Sequence, residues 1–186
     1  MRVAVFASGH GSNFEAIATS KYKHLEIAVL ICDKPNAYCL ERSKRLNIPA
    51  YTFNYKDYKT KKEYENSILK VLKEYQIDII ALAGYMRVIG KTILEAFPNR
   101  ILNIHPSLLP TYKGLNVIKM AYNQGEKTVG VTIHFVNEDL DGGEIIVQES
   151  FEVQNKSFDE VENEVHKLEH KLYSQILKDL FDQENK

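Results

Sequence analysis

Residues 2–17 read RVAVFASGHGSNFEAI, and this stretch decides the fold. The apolar run Val3 to Ala7 has the length of a buried strand. Ser8-Gly9-His10-Gly11-Ser12-Asn13 then turns the chain into a helix beginning with Phe14, Glu15, Ala16 and Ile17. A strand, a glycine turn and a helix N-terminus together present unpaired backbone N–H groups and the positive end of a helix dipole, which suits an anion. The dinucleotide fingerprint would need a third glycine at position 14, where Phe14 stands, although Asp33 lies where a ribose-binding acid would. No Gly-Lys-Ser/Thr follows, so the P-loop pattern also fails. Two readings remain: a small phosphate monoester held by the N–H groups of Gly11, Ser12 and Asn13, or a tight turn with no ligand.

Working outward, short apolar runs alternate with segments of helical period, the pattern of βαβ units. Strands are expected over 2–7, 26–32, 49–53, 77–83, 100–104, 128–136 and 144–152, with helices in the gaps. Over 61–75, Tyr64, Ile68, Val71, Leu72 and Tyr75 share one face behind a capping box of Thr60 and Glu63. The last segment repeats this with Ser157 and Glu160 as the box and Val161, Val165, Leu168, Leu172, Ile176 and Leu180 as the stripe. After Thr128, VGVTIHFV and EIIVQESFEV are separated only by the turn-forming NEDLDGG, so an antiparallel pair joins the sheet. The expected fold is α/β: a Rossmann-like, open, mainly parallel twisted sheet with helices on both faces and an antiparallel addition in the C-terminal half. With no repeat or linker, residues 1–186 read as one domain, divided internally near residue 100.

The 186 residues are 44% hydrophobic and 26% charged, which excludes disordered and collagenous classes. A formal net charge of -1 provides no footprint for nucleic acid or an anionic membrane. Apolar runs such as Ile79 to Ala83 fall far short of the roughly 20 residues of a membrane span, and MRVAVFA lacks a signal-peptide core. Cys32 and Cys39 are too few for a disulfide framework and lie among ordinary core residues. A reducing cytoplasm and small-molecule partners are expected.

Chemistry concentrates after the fifth strand, in Asn103-Ile104-His105-Pro106-Ser107. Strand alternation points Asn103 and His105 the same way, about 7 Å apart, at the carboxyl end of the sheet where ligands of open α/β folds bind. A satisfied structural histidine in a proline-shaped turn is the plainer alternative. Asp139-Leu140-Asp141-Gly142-Gly143 adds carboxylates in a loop whose glycines permit positive φ and close approach to a ligand. Set beside His105, one carboxylate would stabilise an imidazolium. No G-x-S-x-G nucleophile motif is present, so direct transfer is favoured over a covalent acyl-enzyme. His166 and His170 stand four apart, but HKLEH lacks the glutamate a zincin needs after its first histidine, and no metal is expected. His24 belongs to no constellation.

With these motifs assembled, the sequence resembles the phosphoribosylglycinamide formyltransferase family along essentially its whole length. The resemblance rests on SGHGSN at 8–13, LAGYMRVI at 82–89, NIHPSLLPTYKG at 103–114 and VTIHFVNEDLDGGEII at 131–146. It implies transfer of the formyl group of 10-formyltetrahydrofolate, a co-substrate, to glycinamide ribonucleotide, whose phosphate would dock on Gly11, Ser12 and Asn13. Asn103 would hold the oxyanion, His105 would serve as acid or charged partner, and Asp141 would favour protonated His105 and assist proton transfer through water. Met86, Arg87, Val88 and Ile89 match the stretch lining the folate pocket, joined by Leu140, and Lys61 falls where a folate-contacting basic residue is expected. Glu169 matches a substrate-contacting glutamate. On the residues alone, Met86 and Val88 read as packing, Arg87 as paired with a surface acid and Glu169 as solvated. Some relatives carry histidines where Asn116 and Ile118 stand here. The resemblance assigns residues 1–100 to phosphate binding and 101–186 to catalysis and folate binding, in a monomer or homodimer.

Two alternatives belong beside this expectation. A 10-formyltetrahydrofolate hydrolase would usually carry an extra N-terminal regulatory domain, whereas the catalytic pattern here starts at Met1. A non-catalytic phosphate- or nucleotide-binding module would keep the glycine turn but has no need of Asn103, His105 and Asp141 together. A methionyl-tRNA formyltransferase would need a tRNA-binding domain for which 186 residues leave no room.

Overall fold

In the computed structural model, which describes residues 1–20, 22 and 25–184, β1 (Arg2–Ala7) divides its side chains between two layers. Val3, Val5 and Ala7 enter one core, and Ala4 and Phe6 enter the other, as the two-residue period of a strand dictates. Beside it lie β2 (Glu26–Cys32), β3 (Ala50–Thr52), β4 (Ile79–Leu82), β5 (Ile101–His105), β6 (Thr128–Phe135) and β7 (Ile145–Glu152). They form one sheet in the order β3-β2-β1-β4-β5-β6-β7. The first five strands pair in parallel, whereas β6 runs antiparallel to β5 and β7 antiparallel to β6. Strand order reverses between β1 and β4, which opens a crevice at their carboxyl ends.

Among the described residues six α-helices, α1 (Ser12–Ala18), α2 (Tyr38–Leu46), α3 (Lys61–Glu74), α4 (Lys91–Ala96), α5 (Val117–Asn123) and α6 (Phe158–Glu184), cover both faces. Phe14 and Ile17 of α1, Cys39 of α2, Ala121 of α5 and Val161, Val165, Leu172 and Leu177 of α6 fill the first core. Tyr64, Ile68 and Leu72 of α3 and Ile93 of α4 fill the second. The expected α/β sheet with an antiparallel addition is therefore the fold observed. Position 24 lies outside the described residues. Among the described residues no helix is long and apolar enough to cross a membrane.

Local differences have physical causes. The fifth strand runs to His105, because antiparallel pairing with Thr132 extends it past the expected end. At α3, the Glu63 N–H donates to Thr60 Oγ1 at 3.1 Å, but the Glu63 carboxylate accepts from the Lys59 N–H, one residue beyond the expected cap. At α6 the box is reciprocal, with the Ser157 N–H donating to Glu160 Oε2 at 2.7 Å and the Glu160 N–H to Ser157 Oγ at 3.4 Å. Ile176 and Leu180 of the α6 stripe are only half-buried, while Tyr173, absent from that stripe, is fully buried.

Tyr173 earns its burial by bonding. Its hydroxyl donates to the carbonyls of Leu82 at 3.1 Å and Leu102 at 3.0 Å, so one proton bridges the ends of β4 and β5 just below the crevice. Tyr173→Phe keeps the packing and removes this bridge. It is expected to lower unfolding free energy by about 1–2 kcal/mol in urea titrations, and an unchanged midpoint would show that the hydroxyl contributes nothing.

Candidate active site

The alternation that buries Leu102 and Ile104 in the first core turns Asn103 and His105 to the opposite face. Their register partners on β6 are His134 and Thr132. Helices α3 and α4 cover this face under β1 and β4; over β5 and β6 it carries the loops that follow each strand. Buried Thr132 fixes the first loop, donating from Oγ1 to Ser107 O at 2.7 Å and accepting from the Leu109 N–H at 3.1 Å and Gln148 Nε2 at 2.8 Å. Ser107 Oγ donates to Thr111 O and Tyr112 O. Tyr112 O then receives His105 Nε2–H at 2.8 Å. A carbonyl can only accept, so Nε2 carries a proton and Nδ1 faces the site.

Asp141 closes the constellation. Its Oδ2 accepts the Gly114 N–H at 2.9 Å and lies 3.7 Å from His105 Nδ1, while its Oδ1 lies 3.4 Å from Asn103 Nδ2. Asn103 Nδ2 also donates to His134 Nε2 at 3.1 Å, and His134 Nδ1–H donates to Phe135 O at 2.7 Å. Two acceptors around the Asn103 amide set its orientation, with the amino group toward them. Burial holds His134 below the ordinary histidine range and hence neutral, as its acceptor role requires. His134 was absent from the expected site, because IHFV reads simply as strand; only its cross-strand pairing with Asn103 exposes the role.

Tyr112 (φ 56) and Asp141 (φ 48) both adopt left-handed backbone, an unfavourable conformation held by these hydrogen bonds. The expectation that Gly142 and Gly143 supply the positive φ is corrected: Asp141 takes it. The two glycines are required for space, since a Cβ on Gly142 would meet Asp139 Cβ at 2.6 Å and one on Gly143 would collide with Phe135 O.

At the glycine turn, helix α1 starts at Ser12, two residues before the expected Phe14, because Gly11 (φ 75) serves as its N-cap and accepts the Glu15 N–H at 3.0 Å. Helix geometry leaves the amides of Ser12 and Asn13 without intrahelical acceptors. Asn13 is buried and its Oδ1 has no hydrogen-bond partner. Arg42 braces the turn, donating from Nε to His10 O at 2.9 Å and pairing with Glu15.

Met86, Val88 and Leu140 are 54%, 55% and 54% exposed, against the packing reading of the first two. Ile89 is buried in the second core, so its side chain supports the loop from beneath. Arg87 pairs with a buried acid, not a surface one: Asp33 is 4% exposed, and its Oδ2 lies 3.0 Å from Arg87 Nε. The approach is an ion pair without hydrogen-bond geometry, since Arg87 Nε and Asp33 Oδ1 lack hydrogen-bond partners. The guanidinium also sits over the Tyr55 ring at 4.5 Å. The Lys61 stem lies beside Gly90, adjoining this loop.

Glu169 is 4% exposed, contrary to its solvated reading, and accepts from His166 Nδ1 at 2.7 Å. That hydrogen bond pushes the His166 pKa up, while burial pushes His170 down. Among the described residues no three His, Cys, Asp or Glu side chains converge as metal ligands.

Residues 1–177 match the formyl transferase family model. The phosphoribosylglycinamide formyltransferase of Bacillus subtilis (strain 168) is 42% identical over 189 residues, an alignment spanning 100% of this chain and 97% of that protein. The crystal structure of phosphoribosylglycinamide formyltransferase from Bacillus halodurans superposes with a TM-score of 0.92 at 44% identity, covering 97% of this chain and 95% of that one. That of glycinamide ribonucleotide transformylase 1 from Geobacillus kaustophilus gives 0.91 at 45%, covering 96% and 97%. The fold is thus shared with these solved structures, and the chain belongs to the formyl transferase family.

Proposed function

We propose that this chain transfers the formyl group of 10-formyltetrahydrofolate to the amine of 5'-phosphoribosylglycinamide, giving formylglycinamide ribonucleotide and tetrahydrofolate in purine biosynthesis. The observation that carries the chemistry is the Asp141 carboxylate, shared between Asn103 and His105. The amine attacks the formyl carbon, and the carbonyl oxygen becomes an oxyanion in a tetrahedral intermediate. Asn103 donates to that oxyanion, using the N–H whose bond to Asp141 is the longer, 3.4 Å, and the more readily exchanged. His105 keeps Nε2–H on Tyr112 O, so the proton it exchanges is the one on Nδ1, beside Asp141. The attacking amine loses a proton, N10 of the folate gains one, and the carbon–nitrogen bond to N10 breaks.

The phosphate of the acceptor sits on the backbone N–H groups of Gly11, Ser12 and Asn13, helped by the Ser12 hydroxyl and the Asn13 side-chain amide, which Asn13→Ala removes, and Glu169 contacts the same substrate. The folate lies against Lys61, Met86, Arg87, Val88, Ile89, Asn103, Leu140 and Asp141. The glycine turn favours the phosphoribosyl acceptor over water as the attacking species. Residues 1–100 serve chiefly the phosphate and 101–186 catalysis, within one domain. All proposed site residues come from a single chain, which is compatible with work as a cytoplasmic monomer or homodimer.

The direct test follows deformylated folate by absorbance with and without glycinamide ribonucleotide. Turnover is expected only with the amine; equal rates without it would make the chain a hydrolase. His105→Asn is expected to fold and to bind glycinamide ribonucleotide normally while kcat falls by roughly 10²- to 10⁴-fold, and near-normal kcat would remove His105 from the mechanism. Asn13→Ala is expected to raise the KM for glycinamide ribonucleotide by about tenfold with little change in the folate KM, since a phosphate contact binds ground and transition states alike. Unchanged KM would contradict the phosphate assignment.

His134 yields a pH prediction. Its pKa is lowered on folding, so its contribution to stability is present above the ordinary histidine value and is lost as pH falls through that value toward the folded one. His134→Gln is expected to flatten the decline of the urea midpoint between about pH 7 and pH 5 relative to the parent. Parallel curves would show that His134 protonates equally in both states.

A further inference from the structure

We propose that Cys32 and Cys39 are an oxidation site, forming an intramolecular disulfide with a hydroperoxide, and that closing this bond displaces the Gly9 to Asn13 turn and weakens binding of the phosphate-bearing substrate. The second half rests on the phosphate assignment above.

Cys32 is the last residue of β2 and Cys39 lies in the first turn of α2, with exposed Lys34, Pro35 and Asn36 in the segment between them. Both are free and buried, and the Cys39 thiol donates to Cys32 Sγ at 3.6 Å. A disulfide requires about 2.05 Å between the sulfurs, a closure of about 1.5 Å that side-chain rotation and a small helix shift can supply. The thiols differ in readiness. The hydrogen bond from Cys39, aided by the Lys34 amide at 3.4 Å, brings the Cys32 thiol down to about 7 against burial, while that bond and burial push Cys39 up. Cys32, whose Sγ also lies 3.2 Å from Lys34 O, is therefore the more readily ionised of the two, and Cys39 is the resolving thiol.

The chemistry balances. The Cys32 thiolate attacks the hydroperoxide, the O–O bond breaks, and the departing alkoxide takes a proton, leaving Cys32 as sulfenic acid. Cys39 sulfur then attacks Cys32 sulfur, and the hydroxyl leaves with the Cys39 proton as water. Two thiols lose two electrons to the peroxide bond, giving one disulfide, one alcohol and one water. Both thiols are fully buried beneath exposed residues 34–36, so the proposal requires an oxidant small enough to reach them, a hydroperoxide rather than a protein thiol.

The coupling to the turn is steric. A Cβ on Gly11 would lie 2.5 Å from Cys39 Cβ, so the Cys39 side chain packs directly on the Gly11 backbone. The Cys39 N–H also donates to Gly9 O at 3.0 Å. A shift of Cys39 toward Cys32 therefore pulls on both glycines of the turn. The plainer reading, two thiols filling a core, makes the opposite forecast for every readout below.

The test treats the full chain with hydrogen peroxide. Expected are an intact mass lower by two hydrogens, loss of both free thiols on titration after unfolding, and a KM for glycinamide ribonucleotide raised about tenfold with the folate KM unchanged, all reversed by dithiothreitol. In Cys39→Ala and Cys32→Ala, peroxide should leave that KM unmoved. Persistence of both thiols, oxygen addition to Cys32 without a disulfide, or an equal KM rise in the variants would overturn the proposal. Should the disulfide form with no KM change, untreated Asn13→Ala separates the causes: a raised KM in that variant keeps the phosphate assignment and overturns the coupling, and an unmoved one overturns the phosphate assignment itself.

Discussion

Asp141 accepts the Gly114 N–H and, more distantly, an N–H of Asn103, and stands 3.7 Å from His105 Nδ1. A largely buried carboxylate in this position is tolerable only while hydrogen-bond donors surround it, so the loop after β6, the loop after β5 and the end of β5 must arrive together. The same requirement explains the left-handed backbone of Asp141 and Tyr112. Each is unfavourable locally, and each aims an acceptor at His105. The site is thus built from strained loops clamped to a rigid strand pair, with Thr132 of β6 pinning one loop and the Gly143 approach to Phe135 pinning the other.

The fold was largely legible because its strands are short apolar runs and its long helices carry one-sided stripes. Strand β1 and the first three turns of α3 follow directly from residue order. Where reading failed, tertiary contact decided. Tyr173 and Glu169 lie on α6 among residues that periodicity leaves ambiguous, and only the carbonyls of Leu82 and Leu102 and the imidazole of His166 explain their burial. His134 was invisible for a related reason: a histidine on a strand acquires meaning from its cross-strand neighbour, here Asn103, and register is not written in composition. Asn103, His105 and Asp141 were found through spacing and family likeness together, whereas the exposed Met86, Val88 and Leu140 owed their place to the likeness alone.

The two proposed substrate regions also share a mechanical support. Ser8, the first residue of the glycine turn, donates its N–H to Gly84 O at 3.1 Å and accepts the Met86 N–H on its hydroxyl at 2.8 Å. These bonds cross from β1 to β4, where the strand order reverses, so the turn and the loop 84–89 cannot move independently without breaking two buried hydrogen bonds. Arg87, paired with Asp33 at the end of β2, adds a second tie from the same loop to the neighbouring strand. Transfer between two bound molecules depends on holding amine and carbonyl near attack distance, and a 1 Å error is enough to lose about two orders of magnitude in rate. Joining both binding loops to adjacent strand ends limits that error without using any of the three reacting side chains. This leaves the Asn103, His105 and Asp141 side chains free to respond to charge as it develops.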